Sequence, residues 1–297
     1  LLHKQPFYKI ISENWRKVSM LIVGGGYVGL EILKNSIWCS QSTDYSFDAT
    51  VVDFNIERSE GIFNKSCPGM NKKEYNVYFY PKNIDAETDK LMEFVAGNDG
   101  KFNYIVISTD NDEINIRTAL DLRSFYLRKG YPALIAVSVR DHQKYDLITQ
   151  EKITLDESSV KMFAFGSTVS LYNYDTIVDS IIEKRARCIN SVYNRTHDRI
   201  CGKDRSITVQ SAIDDWKWLG LQKRRSNMAL AVYLDYILWM CGYKTIAGGN
   251  ADNFEIPDDA IESLAELEHT RWNAYQLIEG YYPWNISDYL TSSESRN

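Results

Sequence analysis

The pattern of apolar and polar positions divides the chain into two unlike parts. Up to about residue 171, short apolar runs alternate with stretches of helical periodicity. The runs at 20–23, 49–52, 75–80, 104–109, 133–139 and 163–166 have strand length and are rich in Val, Ile and aromatic residues. Helical spacing follows several of them, as in Val28, Ile32 and Leu33, then Leu91, Phe94 and Val95, then 114–126. Strands alternating with helices predict an α/β fold, a doubly wound parallel sheet of Rossmann-like type with right-handed crossovers. The segment 55–73 is expected to be a loop, because Gly61, Cys67-Pro68-Gly69 and Asn71 interrupt its periodicity. Residues 1–17, polar with scattered aromatics, read as a leading helix or arm.

After about residue 172 the strand signals vanish. A helix is expected over 175–194, a polar mobile stretch over 195–208, and a helix over 228–240 opened by a Ser226-Asn227 cap. That helix is apolar on nearly all sides and should be central. A loop is expected over 242–256. A last helix over 260–279 begins behind Pro257-Asp258-Asp259 and stops at Gly280. The expected organisation is therefore a Rossmann-like nucleotide-binding domain over 1–171 and a smaller, mainly α-helical domain over 172–297.

One stretch carries chemistry. The apolar run ending at Val23 leads straight into Gly24-Gly25-Gly26-Tyr27-Val28-Gly29 and then into a helix. Gly24, Gly26 and Gly29 stand at G-x-G-x-x-G spacing between a strand and a helix, which is the context that spacing needs. Gly24 permits the tight turn, Gly26 lets backbone approach a pyrophosphate, and Gly29 lets helix pack on strand. The free N–H groups at the head of that helix then face phosphate. Asp53 ends the second strand, where a carboxylate accepts ribose hydroxyls and favours NAD over NADP. It can instead cap the next turn, and Arg58 nearby can reach a 2′-phosphate. Ser108, Thr109 and Asp110 lie at the end of the fourth strand. All these residues sit at strand carboxyl ends, where such sheets hold ligands.

Composition narrows the classes. A net charge of −6 argues against nonspecific binding of nucleic acid. Five widely spaced cysteines without a C-x-x-C pair fit reduced thiols in a cytoplasmic protein, and four unpaired histidines give no metal site. The most apolar segment, 228–241, is too short for a bilayer and carries Asp235. The chain opens on Leu1, which leaves room for a membrane tether upstream.

In the last helix one stripe gathers Ile261, Leu264, Ala265, Glu268, Trp272 and Tyr275 at helical spacing. A carboxylate on an apolar face needs a partner; Arg271 one turn on is one candidate, and the basic run Lys223-Arg224-Arg225 is a second. His269 flanks the stripe. Either Glu268 and Arg271 are a structural ion pair, or Arg225, Arg271 and Trp272 hold an anionic aromatic ligand, with Glu268 orienting the arginines.

Two family resemblances follow. Leu21 to Gly29, Asp53 and the run from Tyr104 to Ile116 resemble the NAD-binding regulatory domain of potassium-transport proteins, the TrkA-N or RCK type. The resemblance implies that Gly24 to Gly29 hold phosphates, Asp53 the ribose, and Ser108 to Asp110 the border of the nicotinamide half. It further implies NAD, NADH or another adenine nucleotide as ligand, and assembly as a homodimer or larger ring that serves a membrane transport protein. The stretch around Cys67-Pro68-Gly69 is longer than in that family. Leu264 to Trp272, followed by Gly280-Tyr281, is similar to bacterial ryanodine-receptor (RyR) repeat domains, as are Trp216 to Leu219 and Arg225-Ser-Asn227. Those domains are suspected nucleotide-ligand sensors, sometimes in phage defence. The expected function is a non-catalytic nucleotide sensor with no catalytic acid or base. The alternative is an NAD-dependent oxidoreductase or epimerase. Its usual Tyr-x-x-x-Lys pair appears only as Tyr78 and Lys82, with Pro81 between, so His142 or His269 would have to serve as donor.

Overall fold

The computed structural model describes residues 1–12, 15–98, 101–150, 159–177, 180–203, 206, 208–243 and 256–281. The strands are β1 (Lys17–Val23), β2 (Ser46–Val52), β3 (Val77–Phe79), β4 (Tyr104–Ile107), β5 (Ala133–Ser138) and β6 (Val160–Phe165). They form one six-stranded sheet in the order β3-β2-β1-β4-β5-β6, and every pairing is parallel. This is the doubly wound Rossmann-like arrangement, with the switch in strand order between β1 and β4. The central strands β4 and β5 are buried along their whole length, as their unbroken apolar runs require.

The first part supplies helices α1 (Tyr27–Cys39), α2 (Ile56–Ser66), α3 (Asp89–Gly97), α4 (Asp112–Lys129) and α5 (His142–Gln150). Alternation along each strand divides the core. Met20, Ile22, Val51 and Val106 face α1 and α2 through Leu33, Ile37 and Phe63. Leu21, Val23, Ile105 and Ile107 face α3 and α4 through Leu91, Val95, Ala119 and Leu122.

Residues 55–73 are not all loop. Asn55 caps α2 by accepting from the Arg58 N–H at 3.3 Å, and Ile56, Ser59 and Phe63 bury one face. A glycine inside a helix costs about 1 kcal/mol, and that buried face outweighs Gly61.

Two short turns (Thr168–Leu171 and Tyr174–Ile177) lead to α6 (Ile181–Ile200), α7 (Val209–Trp218), α8 (Leu221–Met240) and α9 (Asp258–Ile278). Helix α6 runs through half of the stretch expected to be mobile. Its start is capped by Ser180, and Trp216 of α7 and Ala231 of α8 close on its Ala186. Helix α8 begins at Leu221 behind Gly220, so Ser226 and Asn227 lie inside it and cap nothing. The basic run Lys223-Arg224-Arg225 favours helix and carries the helix further back. The expected loop at 242–256 lies mostly outside the described residues.

The helical part and the sheet share one core. Tyr233 and Tyr236 of α8 and Ala274, Tyr275 and Ile278 of α9 belong to the same cluster as β1, β2 and α1. The arm at the start of the chain, with a 3₁₀ turn at Phe7–Ile10, wedges between them. Phe7 meets Tyr104 edge-on at 5.0 Å and Tyr236 at 6.2 Å, and the Tyr104 hydroxyl donates to the Gln5 carbonyl at 2.7 Å. No helix among the described residues is long and apolar enough to cross a membrane.

Candidate functional site

The glycine turn is shaped by steric exclusion. Gly24 has φ +100, and a Cβ there would lie 2.8 Å from the Ser108 carbonyl. A Cβ on Gly29 would sit 2.0 Å from the Gly24 carbonyl oxygen and 2.9 Å from Ser108 Oγ. These two glycines therefore let α1 and the end of β4 close on the turn. Gly25 is crowded by Ser59, at 2.6 Å from a hypothetical Cβ. Gly26 is different, since a Cβ there would meet nothing within 4 Å. It is the N-cap of α1, and no side chain caps that helix. The head of α1, a positive helix end, thus has open space beside Gly26. Tyr27 next to it is 83% exposed, and Val28 is half-buried.

Asp53 is buried, and both its oxygens are engaged. One accepts from the Gly25 N–H at 2.6 Å, the other from the Asn55 N–H at 2.7 Å. The carboxylate fixes the turn to the end of β2, and each oxygen retains a second lone pair. Ser108 donates through its hydroxyl to the Gly24 carbonyl at 3.2 Å. Thr109 is held by Asn115, whose Oδ1 accepts from the Thr109 N–H at 2.9 Å and from its hydroxyl at 2.5 Å. The Asn115 amide donates to the carbonyls of Thr109 and Ser138 at 3.1 and 2.9 Å, tying β4 to β5. Asn115 was absent from the sequence-based assignment. Its signal was a polar residue one turn after the N-cap Asn111, at a position the helix buries completely. Asp110 points outward and pairs with Arg140 at 3.1 Å. Asp112, also missed, accepts from the Arg140 and Asp141 N–H groups.

The second group of sequence-assigned residues splits into two pairs and a separate Arg225 and does not form one pocket. The buried stripe of α9 is rotated from the expected one and runs through Leu267, Arg271, Ala274, Tyr275 and Ile278. Ile261 and Trp272 are exposed at 50% and 43%, and Trp272 stacks on His269 on the outer face. Arg271 is the buried member, at 1% exposure, and chelates Glu268 through Nε at 2.6 Å and Nη2 at 2.7 Å. Its guanidinium lies 5.7–6.0 Å from the ring centres of Trp38, Tyr233 and Tyr275. The helix turns this way because aromatic rings and Glu268 solvate the cation from both sides. Arg225 is elsewhere, 3.7 Å from Glu279 and largely exposed. It lies on a groove of about 540 Å³ between α1, α8 and α9.

Of the candidate proton donors, His142 opens α5 and pairs with Asp146 at 3.2 Å. Tyr78 lies on strand β3 and Lys82 beyond it, so they share no helix face. No group of metal-binding side chains occurs among the described residues.

No protein-family model matches the sequence, and no curated protein does. A solved structure of a diketoreductase with dual catalysis of dicarbonyl compounds aligns with 74% of this chain and 93% of that one. At 12% identity and a TM-score of 0.24, that likeness carries no functional argument. The fold rests on the sheet itself: parallel strands in Rossmann-like order, a kind of fold that holds nucleotides at its strand ends.

Proposed function

We propose that this chain is a non-catalytic nucleotide sensor. In this reading NAD, NADH or a related adenine nucleotide sits with its phosphates at the head of α1. Asp53 faces the ribose, and its charge disfavours a 2′-phosphate. Occupancy is passed to the helical part, and from there to a second copy of the chain or to a transport protein.

One observation carries the reading. The helix that bears the glycine turn at its head bears Trp38 near its tail, and Trp38 packs on Tyr275 of α9 at 6.1 Å and on the Arg271 guanidinium. Helix α1 has 13 residues, so roughly 20 Å of rigid element joins the two ends. A phosphate that draws in the head of α1 shifts the surface on which α9 rests.

The test is hydrogen exchange with and without NAD, NADH and ADP-ribose, alongside calorimetric titration. The expected result is binding of at least one, with slowed exchange both at 24–30 and across α9. Absence of binding, protection confined to the turn, or steady NADH turnover with carbonyl substrates would each overturn the proposal.

A further inference from the structure

The groove between α1 and the helical part has features the glycine turn does not use. Its wall on α1 is one continuous face, with Tyr27, Lys34 and Trp38 at helical spacing, and the facing wall is Arg225 and Met228 of α8 with Tyr275 of α9. A volume of about 540 Å³ lies within the usual range of small-molecule sites, about 300–1,000 Å³. Trp38 is 4% exposed, and its indole N–H is buried with no hydrogen-bond partner among the described residues. Behind the same wall, Arg271 Nη1 is buried and equally without a partner. Of the two residues only Trp38 lines the groove, and its indole N–H, a donor, calls for an acceptor there. A buried donor left unpaired costs about 1–3 kcal/mol, which an entering acceptor recovers.

The charges lining the groove balance, Lys34 and Arg225 against Glu31 and Glu279, and an anion is placed by Arg225 alone. Arg225 is exposed and stands 3.7 Å from Glu279, beyond hydrogen-bond distance, so its guanidinium is free to exchange that partner for an anion. Glu31 is engaged by Lys34 at 2.8 Å. The aromatic walls suit a flat ring, and Met228 adapts to its edge.

We infer that this groove is a second ligand site, for a planar aromatic anion of nucleoside-monophosphate size. The ring lies against Trp38 and Tyr275 at the tail end of α1, an acceptor faces the Trp38 indole, and the anionic group meets Arg225. The inference deepens the sensor reading and rests on it for the coupling between the two sites, because α1 forms part of both.

The test is calorimetric titration with 1-naphthyl phosphate, on wild type and four variants whose folding is checked by thermal melting. Wild type is expected to bind one equivalent. Arg225→Glu, a surface change, should weaken binding at least tenfold. Val232 also lines the groove from α8, so Val232→Trp fills it and should abolish binding. Trp38→Phe keeps the ring, removes the N–H and should weaken binding severalfold. Gly26→Asp, which blocks the glycine turn, should leave it intact. Failure of wild type to bind, or binding indifferent to both Arg225→Glu and Val232→Trp, overturns the inference. So does binding lost in Gly26→Asp but kept in the groove variants, because the probe then sits at the glycine turn. Probe binding retained alongside absent NADH binding would instead refute the sensor reading alone.

Discussion

Replacing Gly26 by Asp separates ligand binding from folding better than any other change at the glycine turn. A side chain at Gly26 meets no atom within 4 Å, and the backbone there has φ −72, which any residue adopts. Gly26 is also the N-cap of α1, where aspartate exceeds glycine by a few tenths of a kcal/mol and gains about 0.5 kcal/mol from the helix dipole. The folded state should therefore be unharmed or slightly stabilised. A bound phosphate meets the opposite outcome. With the carboxylate about 5 Å from it and an effective dielectric of about 20, repulsion costs about 3 kcal/mol, roughly two orders of magnitude in affinity. The assay is calorimetry with NADH and ADP-ribose beside thermal melting of each protein. Affinity falling a hundredfold at an unchanged or raised Tm is the expected pair of results. Undiminished binding would show that phosphate does not sit at the head of α1. A melting point several degrees lower would refute the open space at Gly26.

Gly29→Ala should do the reverse, losing about 3 kcal/mol in urea unfolding as its methyl meets the Gly24 carbonyl; a loss below about 1 kcal/mol would mean the turn relaxes. Glu268→Gln leaves the buried Arg271 charge undercompensated and should cost about 3 kcal/mol, whereas Arg271→Met removes charge and demand together and should cost less; the opposite order in denaturation would contradict this account. His3 lies beside Asp235 and Arg185, and burial lowers its pKa, so the folded state binds the proton less well than the unfolded chain. Stability should then fall as pH drops through about 6.5 and level off below the folded pKa, and His3→Gln should flatten that slope between pH 7.5 and 5.5. Cys39 is fully buried with its thiol pKa pushed up by desolvation, and Cys67 is raised in the same way. Iodoacetamide should therefore modify the exposed Cys188 and Cys201 first and reach Cys39 only on unfolding, a sequence peptide mass mapping reads directly.

Much of the fold was legible in the chain because its cause is local. Period-two burial on both faces leaves continuous apolar runs, so β1, β4 and β5 announced themselves, and Gly24 and Gly29 marked the turn between β1 and α1. The parallel, doubly wound character followed from strands alternating with helices, whereas the order β3-β2-β1-β4-β5-β6 came from the tertiary structure. The α2 helix was hidden by Gly61, since its stability comes from Ile56 and Phe63 meeting the sheet, which no local pattern records. The start of α8 was missed because its Lys223-Arg224-Arg225 run, which favours helix, reads as lying before it.

The sequence by itself determined the Rossmann-like sheet, the glycine turn and the carboxylate at the end of β2, and narrowed the partner of Glu268 to Arg271 or the basic run 223–225. Only tertiary structure decided which side of α9 is buried, that Asn115 ties two strand ends together, and that Arg225 belongs to a groove with Trp38. Helical periodicity names a stripe by its hydrophobicity, and by that measure Trp272 outranks an arginine. Packing instead chose Arg271, because three aromatic rings and a carboxylate offered its guanidinium a better environment than water did.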